Sequence, residues 1–260
     1  MLVAFLRHIF KSQSSYRLHS PFVFEFSQKA LKGKKSMEGE KIDQIKRSML
    51  ASEQWLSFED MGAGSRKIAT PSKRQVREMV KTSSRRRGEG EFLMRLTRWF
   101  QPGKGLELGT HIGLSAAWQL MGNPSMKLIS IEGIPEVAEI AQQQIDRLGL
   151  QVDIRTGNFD ELLTPSFLKE EGPFDYVLID GNHTYEASLR YFHLLKTQMK
   201  DGGLIVLDDI HWSDGMEKAW EEIIQDDEVS LSIDLFRFGC CFIRRSQAKE
   251  HFVLWNWSLL

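Results

Sequence analysis

Two apolar runs in this sequence end in carboxylates: Phe174-Asp175-Tyr176-Val177-Leu178-Ile179-Asp180-Gly181-Asn182-His183 and Leu204-Ile205-Val206-Leu207-Asp208-Asp209-Ile210-His211. Runs of this length and composition read as buried strands, which places the acids at strand ends. If the two strands are neighbours, Asp180, Asp208 and Asp209 converge, and hard oxygen donors of that kind suit Mg²⁺ or another divalent cation. Such an ion would lower the pKa of a bound hydroxyl, so that its oxygen becomes a nucleophile near neutral pH. His183 and His211 follow closely, and neutral imidazole is a competent base near pH 7. The same acids also have a purely structural reading, in which Asp180 caps a following helix and Asp208 or Asp209 holds a loop by turn hydrogen bonds.

A second constellation lies upstream. Leu106-Glu107-Leu108-Gly109-Thr110-His111-Ile112-Gly113-Leu114-Ser115 places a small-residue turn between a buried strand and a helix, where glycine lets the backbone approach a ligand closely. A dinucleotide site would want G-x-G-x-x-G, whereas here position 111 is His and the spacing is G-x-x-x-G, which weakens a nicotinamide-dependent oxidoreductase. The next acid at a strand end is Glu132, in the place from which a carboxylate accepts hydrogen bonds from ribose hydroxyls. Asp214 with Glu217 matches the capping-box spacing and needs no chemistry.

These residues require a scaffold that brings strand ends together. From Gly105 onward, short β-rich runs alternate with segments of helical period, the pattern of βαβ units and a parallel sheet. Seven strands are expected: Gly105–Leu108, Leu128–Glu132, Val152–Thr156, Phe174–Asp180, Gly203–Asp208, Leu231–Leu235 and Cys240–Arg244. Apolar stripes such as Leu114, Ala117, Trp118, Met121 and Val137, Ala141, Ile145, Leu148 mark the helices between them. Right-handed crossovers then put the loops after the strands on one edge, where a ligand should sit. The predicted architecture is a doubly wound α/β domain over residues 91–245, with a mainly helical N-terminal extension over 1–90 and an apolar tail over 246–260. Phe252, Leu254, Trp255 and Trp257 in that tail are apolar enough to dock or to make a subunit contact, as in a homodimer.

Lys and Arg total 34 against 35 Asp and Glu, a formal net charge of -1, so the global basic field that drives nucleic-acid binding is missing. No run approaches the roughly 20 apolar residues that span a bilayer, which argues against a membrane partner. Met1 to Phe10 is read as a helix packed on its own protein. Cys240 and Cys241 are adjacent in an extended stretch, where alternation points them to opposite faces and makes a mutual disulfide improbable. A reducing, cytoplasmic setting fits.

Glu107-Leu108-Gly109-x-x-x-Gly113-x-Ser115 followed by Ile131-Glu132 resembles the class I S-adenosylmethionine-dependent methyltransferases, and within them is most similar to the catechol-type and sugar-type O-methyltransferases. The resemblance covers about residues 91–245. It implies a Rossmann-like fold, S-adenosylmethionine as cofactor and methyl transfer to an oxygen of a small-molecule acceptor. By the same resemblance, Glu107, Gly109 and Gly113 face the methionine portion and Ser115 its carboxylate. Glu132 matches the ribose-binding acid and Asn158 falls near the adenine side. His111 stands where catechol-type relatives often carry Tyr, so that a cofactor contact and a plain turn histidine both remain open. Metal-dependent relatives carry ligands at positions matching Asp180, Asp208 and Asp209, with Asp180 also on the cofactor side. One departure is Asn182, where sugar-type relatives have an Asp base; His183 or His211 would have to take its place, or the chain binds the cofactor without catalysis. Glu59-Asp60-Met61-Gly62-Ala63-Gly64-Ser65 resembles the same acid-and-glycine motif but lacks a helical stripe after it, and is read as a loop.

Overall fold

The computed structural model describes residues 2–14, 17–59, 71–83, 85–244 and 248–255. The chain opens with α1 (Leu2–Lys11), α2 (Pro21–Phe26), a π-helical turn at Ser27–Leu31, α3 (Met37–Leu50), the strands β1 (Trp55–Glu59) and β2 (Pro71–Gln75), α4 (Val76–Ser83) and α5 (Arg87–Phe100). Alternation then sets in with β3 (Lys104–Leu108), α6 (Leu114–Gly122), β4 (Lys127–Glu132), α7 (Pro135–Arg147), β5 (Asp153–Thr156), α8 (Phe159–Leu162), α9 (Pro165–Glu171) and β6 (Phe174–Ile179). It closes with α10 (Tyr185–Lys196), β7 (Met199–Asp208), α11 (Asp214–Ile223), β8 (Val229–Asp234), β9 (Phe238–Ile243) and β10 (Glu250–Val253).

Among the described residues eight strands form one sheet, in the order β10-β8-β9-β7-β6-β3-β4-β5. This is the doubly wound, mostly parallel α/β architecture expected from the alternation of periods, with β9 running against both β7 and β8. The additional strand is β10, which pairs parallel with β8 from Glu250↔Leu231 to Val253↔Asp234 and covers an edge that would otherwise expose its backbone groups. Its polar start, Glu250-His251, hides it in a tail that reads as merely apolar, and Leu254 just beyond it is buried. Trp257 and most of the glycine-rich stretch at 59–65 lie outside the described residues. The helical character expected of residues 1–90 is present, with the antiparallel pair β1-β2 added to it.

The chain divides into two compact units, the first made of Met1–Gln28, Lys104–Leu106 and Thr164–Leu260, the second of Lys29–Gly103 and Glu107–Leu163. In the first, Tyr176, Val177, Leu178, Leu204, Ile205 and Val206 on β6 and β7 are almost fully buried, as continuous apolar runs in a parallel sheet must be. Cys240 and Cys241 on β9 are buried free thiols, pushed up by burial, in keeping with the absence of a mutual disulfide. In the second, Leu128 and Ile131 of β4 and Val137, Ala141 and Ile145 of α7 belong to the core.

Two helix starts depart from the sequence expectation. Thr184 caps α10, its hydroxyl accepting from Ala187 N, so the cap does not fall to Asp180. At α11 the cap is Ser213, which accepts from Met216 N, rather than Asp214; Met216 then stands where a capping box needs an acid or amide, and Glu217 pairs with Arg7 at 2.7 Å.

Candidate active site

In the second unit the turn after β3 is built from left-handed residues: Gly109 has φ 103°, His111 φ 47° and Gly113 φ 81°. Gly113 N donates to Thr110 O at 2.9 Å and closes the turn that starts α6. A Cβ on Gly113 would lie 2.9 Å from Ala141 Cα of α7, so this position combines a backbone conformation that disfavours side chains with a close approach that excludes them.

Behind the turn sits Glu107, whose side chain is fully buried. Gln119 Nε2 donates to its Oε1 at 2.7 Å and Ser130 Oγ to its Oε2 at 2.5 Å. Thr110 Oγ1 lies 2.5 Å from Ser130 Oγ, and because the single Ser130 proton goes to Glu107, Thr110 is the donor of that bond. Ser115 also hydrogen-bonds to the Glu107 carboxyl, which is how the structure uses this residue. Burial pushes the Glu107 carboxyl above its ordinary range, and the bonds from Ser130, Ser115 and Gln119 only partly offset it. Between its ordinary value of 4.5 and the raised one, the folded state holds more protons than the unfolded, so stability is lost as pH rises through that window. Glu107→Gln is therefore expected to flatten this slope, its melting temperature relative to the native protein rising from pH 4.5 towards pH 8; a constant difference across the range would refute the assignment.

Glu132 ends β4. Its carboxylate accepts from His111 N at 2.7 Å through Oε2 and from Ile134 N at 3.1 Å through Oε1, which ties the glycine turn to the acid that follows the next strand. Burial raises this carboxyl, and the backbone donors at Ile134, His111 and Gly133 oppose the rise. His111 is pushed down to about 4 by burial and by the nearby Arg74 charge, so its imidazole is neutral at pH 7. Among the described residues its buried Nδ1 has no hydrogen-bond partner, an unmet requirement that a bound polar ligand would satisfy. Asn158 spends its Oδ1 on Asp160 N at 2.9 Å, capping the short α8.

In the first unit β6 and β7 are parallel neighbours, which puts Asp180 and Asp208 at adjacent strand ends. Asp180 Oδ1 lies 3.7 Å from His183 Nε2. Asp208 is buried, whereas Asp209, at φ 54°, pairs with Arg237 Nη1 at 2.8 Å. His211 stacks on Phe236 and its Nε2 contacts Asp234 Oδ2 at 2.9 Å. The three carboxylates are not gathered into one ligand set: among the described residues the group of donor atoms within 4.8 Å of one another is His8, His211 and Asp234. As placed, Asp180, Asp208 and Asp209 do not fit a single cation.

Residues 106–210 match the methyltransferase domain family. Over those residues the chain is similar to a methyltransferase domain. A catechol O-methyltransferase of Niastella koreensis is 37% identical to it over 125 residues, 47% of this chain and 56% of that protein. The chain thus spans about half the length of the curated relatives it matches, since it covers 54% of the catechol O-methyltransferase of Mycobacterium tuberculosis, at 31% identity over 47% of this chain. Among solved structures, an O-methyltransferase from Bacillus cereus in complex with SAH has a TM-score of 0.55 at 20% identity, covering 86% of this chain and 97% of its own. That likeness shows the fold.

Within residues 106–210, sequence reasoning missed the supports of Glu107. Ser130 is a lone hydroxyl in the buried run Leu128-Ile129-Ser130-Ile131, and Gln119 a lone amide on an otherwise apolar α6; a polar residue inside such a run is itself a signal, because it must find a partner.

Proposed function

We propose that this domain binds S-adenosylmethionine in the second unit and transfers its methyl group to an oxygen of a small hydroxylated acceptor, with the chain working in a reducing, cytoplasmic setting. The observation that carries this reading is the Glu132 carboxylate fixed between His111 N and Ile134 N, beside a turn that Gly113 keeps free of side chains and a buried His111 Nδ1 with no hydrogen-bond partner among the described residues. Glu132 has lone pairs left for ribose hydroxyls. Glu107 and Ser115 stand towards the methionine portion and Asn158 towards the adenine. Burial makes an ionised Glu107 costly, so a positively charged ligand nearby is favoured. When bound, the cofactor supplies an electrophilic sulfonium methyl, which leaves the protein to align the acceptor and remove its proton. His183, next to Asp180, is the base in this reading; His211 is engaged with Asp234. The names of the curated relatives point to catechol-like acceptors.

The test is a thermal-shift titration with S-adenosylhomocysteine, NAD and Mg²⁺, each alone and combined, followed by turnover on hydroxylated aromatics. S-adenosylhomocysteine at about 100 times its Kd should raise the melting temperature by about 5–10 °C, from roughly 2.7 kcal/mol of linkage. His183→Ala should lower kcat and leave that shift intact. Stabilisation by NAD in place of the thioether would sink the reading.

A further inference from the structure

Three segments far apart in sequence meet in the first unit: α1 brings His8, the loop after β7 brings His211, and the end of β8 brings Asp234. His8 Nδ1 lies 3.0 Å from Asp234 Oδ1, and His211 Nε2 lies 2.9 Å from Asp234 Oδ2. His8 and Asp234 are buried, and the His211 side chain keeps only 10% exposure.

The ring contacts of His8 set its tautomer. Its Nε2 faces Leu254 O at 3.3 Å, a carbonyl that only accepts, so Nε2 carries the hydrogen and Nδ1 of the neutral ring is a bare lone pair. That lone pair points at a carboxylate oxygen. Two electron-rich atoms at 3.0 Å repel unless a positive charge stands between them, and His8 Nδ1 has no hydrogen-bond partner among the described residues. The gap is filled either by a second proton on His8 or by a metal ion.

The surroundings favour the metal. Ligating histidines characteristically donate their second ring N–H to a backbone carbonyl or a carboxylate. His8 does so to Leu254 O, whereas His211 Nδ1, 4.0 Å from Glu217 Oε1, has no hydrogen-bond partner among the described residues. The ligating carboxylate is in turn oriented by hydrogen bonds, from Phe236 N to Oδ1 at 2.8 Å and from Trp220 Nε1 to Oδ2 at 3.3 Å. Ligand atoms on one tetrahedral zinc, with bonds of about 2.0–2.1 Å, stand about 3.3 Å apart, so the 2.9 and 3.0 Å contacts here would open only slightly on binding. Two imidazoles and one carboxylate are donors for zinc and its neighbours rather than for Mg²⁺ or Ca²⁺.

We infer that His8, His211 and Asp234 form a binding site for a divalent transition metal of the zinc class, which ties the N-terminal helix to the end of β8. The site is independent of the methyl-transfer reading, since it uses neither the cofactor cradle nor His183.

Full-length protein stripped with a chelator is titrated with Zn²⁺ alone by calorimetry, without cofactor. One equivalent is expected at micromolar affinity or tighter, with a rise in melting temperature; Asp234→Asn, His8→Gln and His211→Gln should each weaken uptake by at least tenfold, while Asp180→Asn leaves it unchanged. No uptake would mean that a proton on His8 fills the gap, and uptake that survives all three substitutions, or that Asp180→Asn abolishes, would place the ion elsewhere; either overturns the site. If the variants fail to fold, Co²⁺ decides on the native protein: visible d–d bands without a thiolate charge-transfer band support the nitrogen–oxygen ligand set, and their absence refutes it.

Discussion

Gly113→Ala is expected to cost about 2–3 kcal/mol of unfolding stability and at least tenfold in affinity for S-adenosylhomocysteine. Two effects add. At φ 81° an L side chain is strained by about 1–2 kcal/mol, and the new Cβ would stand 2.9 Å from Ala141 Cα and 3.0 Å from Ala141 O, backbone atoms that cannot rotate away. Relief requires α7 or the turn to shift. The turn is the part that binding depends on, because Gly113 N closes on Thr110 O and the intervening His111 N is one of the backbone donors that orient Glu132. Gly149→Ala separates the effects: Gly149 has φ 68° but nothing within 4 Å of a built Cβ, so it should show the backbone strain alone and keep native cofactor affinity. Urea unfolding and calorimetry on both variants read the two quantities. Equal losses of affinity in the two would show that proximity to α7 is irrelevant.

How much of this was legible beforehand depends on the range of the signal. The strands of the sheet were readable because burial on both faces imposes continuous apolar runs such as Val177-Leu178-Ile179 and Ile205-Val206-Leu207, and the crossover helices because their stripes recur at helical spacing. The Gly109–Gly113 turn and Glu132 were readable because backbone conformation and strand-end position demand particular residue types. The fate of the acids on β6 and β7 was not, since it turns on partners distant in sequence: Arg237 takes Asp209, and Asp234 takes His211. Nothing local to Asp208-Asp209-Ile210-His211 announces either. His8 makes the same point from the other side, because a single histidine on an amphipathic N-terminal helix gains meaning only once Asp234, 226 residues later in the sequence, lies against it. The strand β10 was hidden for a similar reason: at an edge, pairing with β8 supplies what a four-residue sequence pattern cannot.

Glu132 carries the second large effect. Its main chain is held independently of its side chain, by the ladder with β5 and by Gly157 N donating to Glu132 O at 2.9 Å, so truncation should leave β4 in place. Glu132→Ala nevertheless removes the acceptor for His111 N and Ile134 N and whatever the carboxylate offers a ligand; with charged hydrogen bonds worth about 1.5–3 kcal/mol each, affinity for S-adenosylhomocysteine should fall about 10–100-fold. Loss of turn order and loss of a ribose contact would both produce that fall, and a double-mutant cycle tells them apart. An analogue lacking the ribose hydroxyls should bind the native protein more weakly than S-adenosylhomocysteine does, yet bind Glu132→Ala no worse than S-adenosylhomocysteine. If the analogue instead suffers the full additional loss in the variant, Glu132 does no more than hold the turn, and the sugar is gripped elsewhere. The pH dependence adds a second handle on the same group: because burial raises the Glu132 carboxyl, cofactor affinity in the native protein should decline as pH falls through that raised value, and the decline should vanish in the alanine variant.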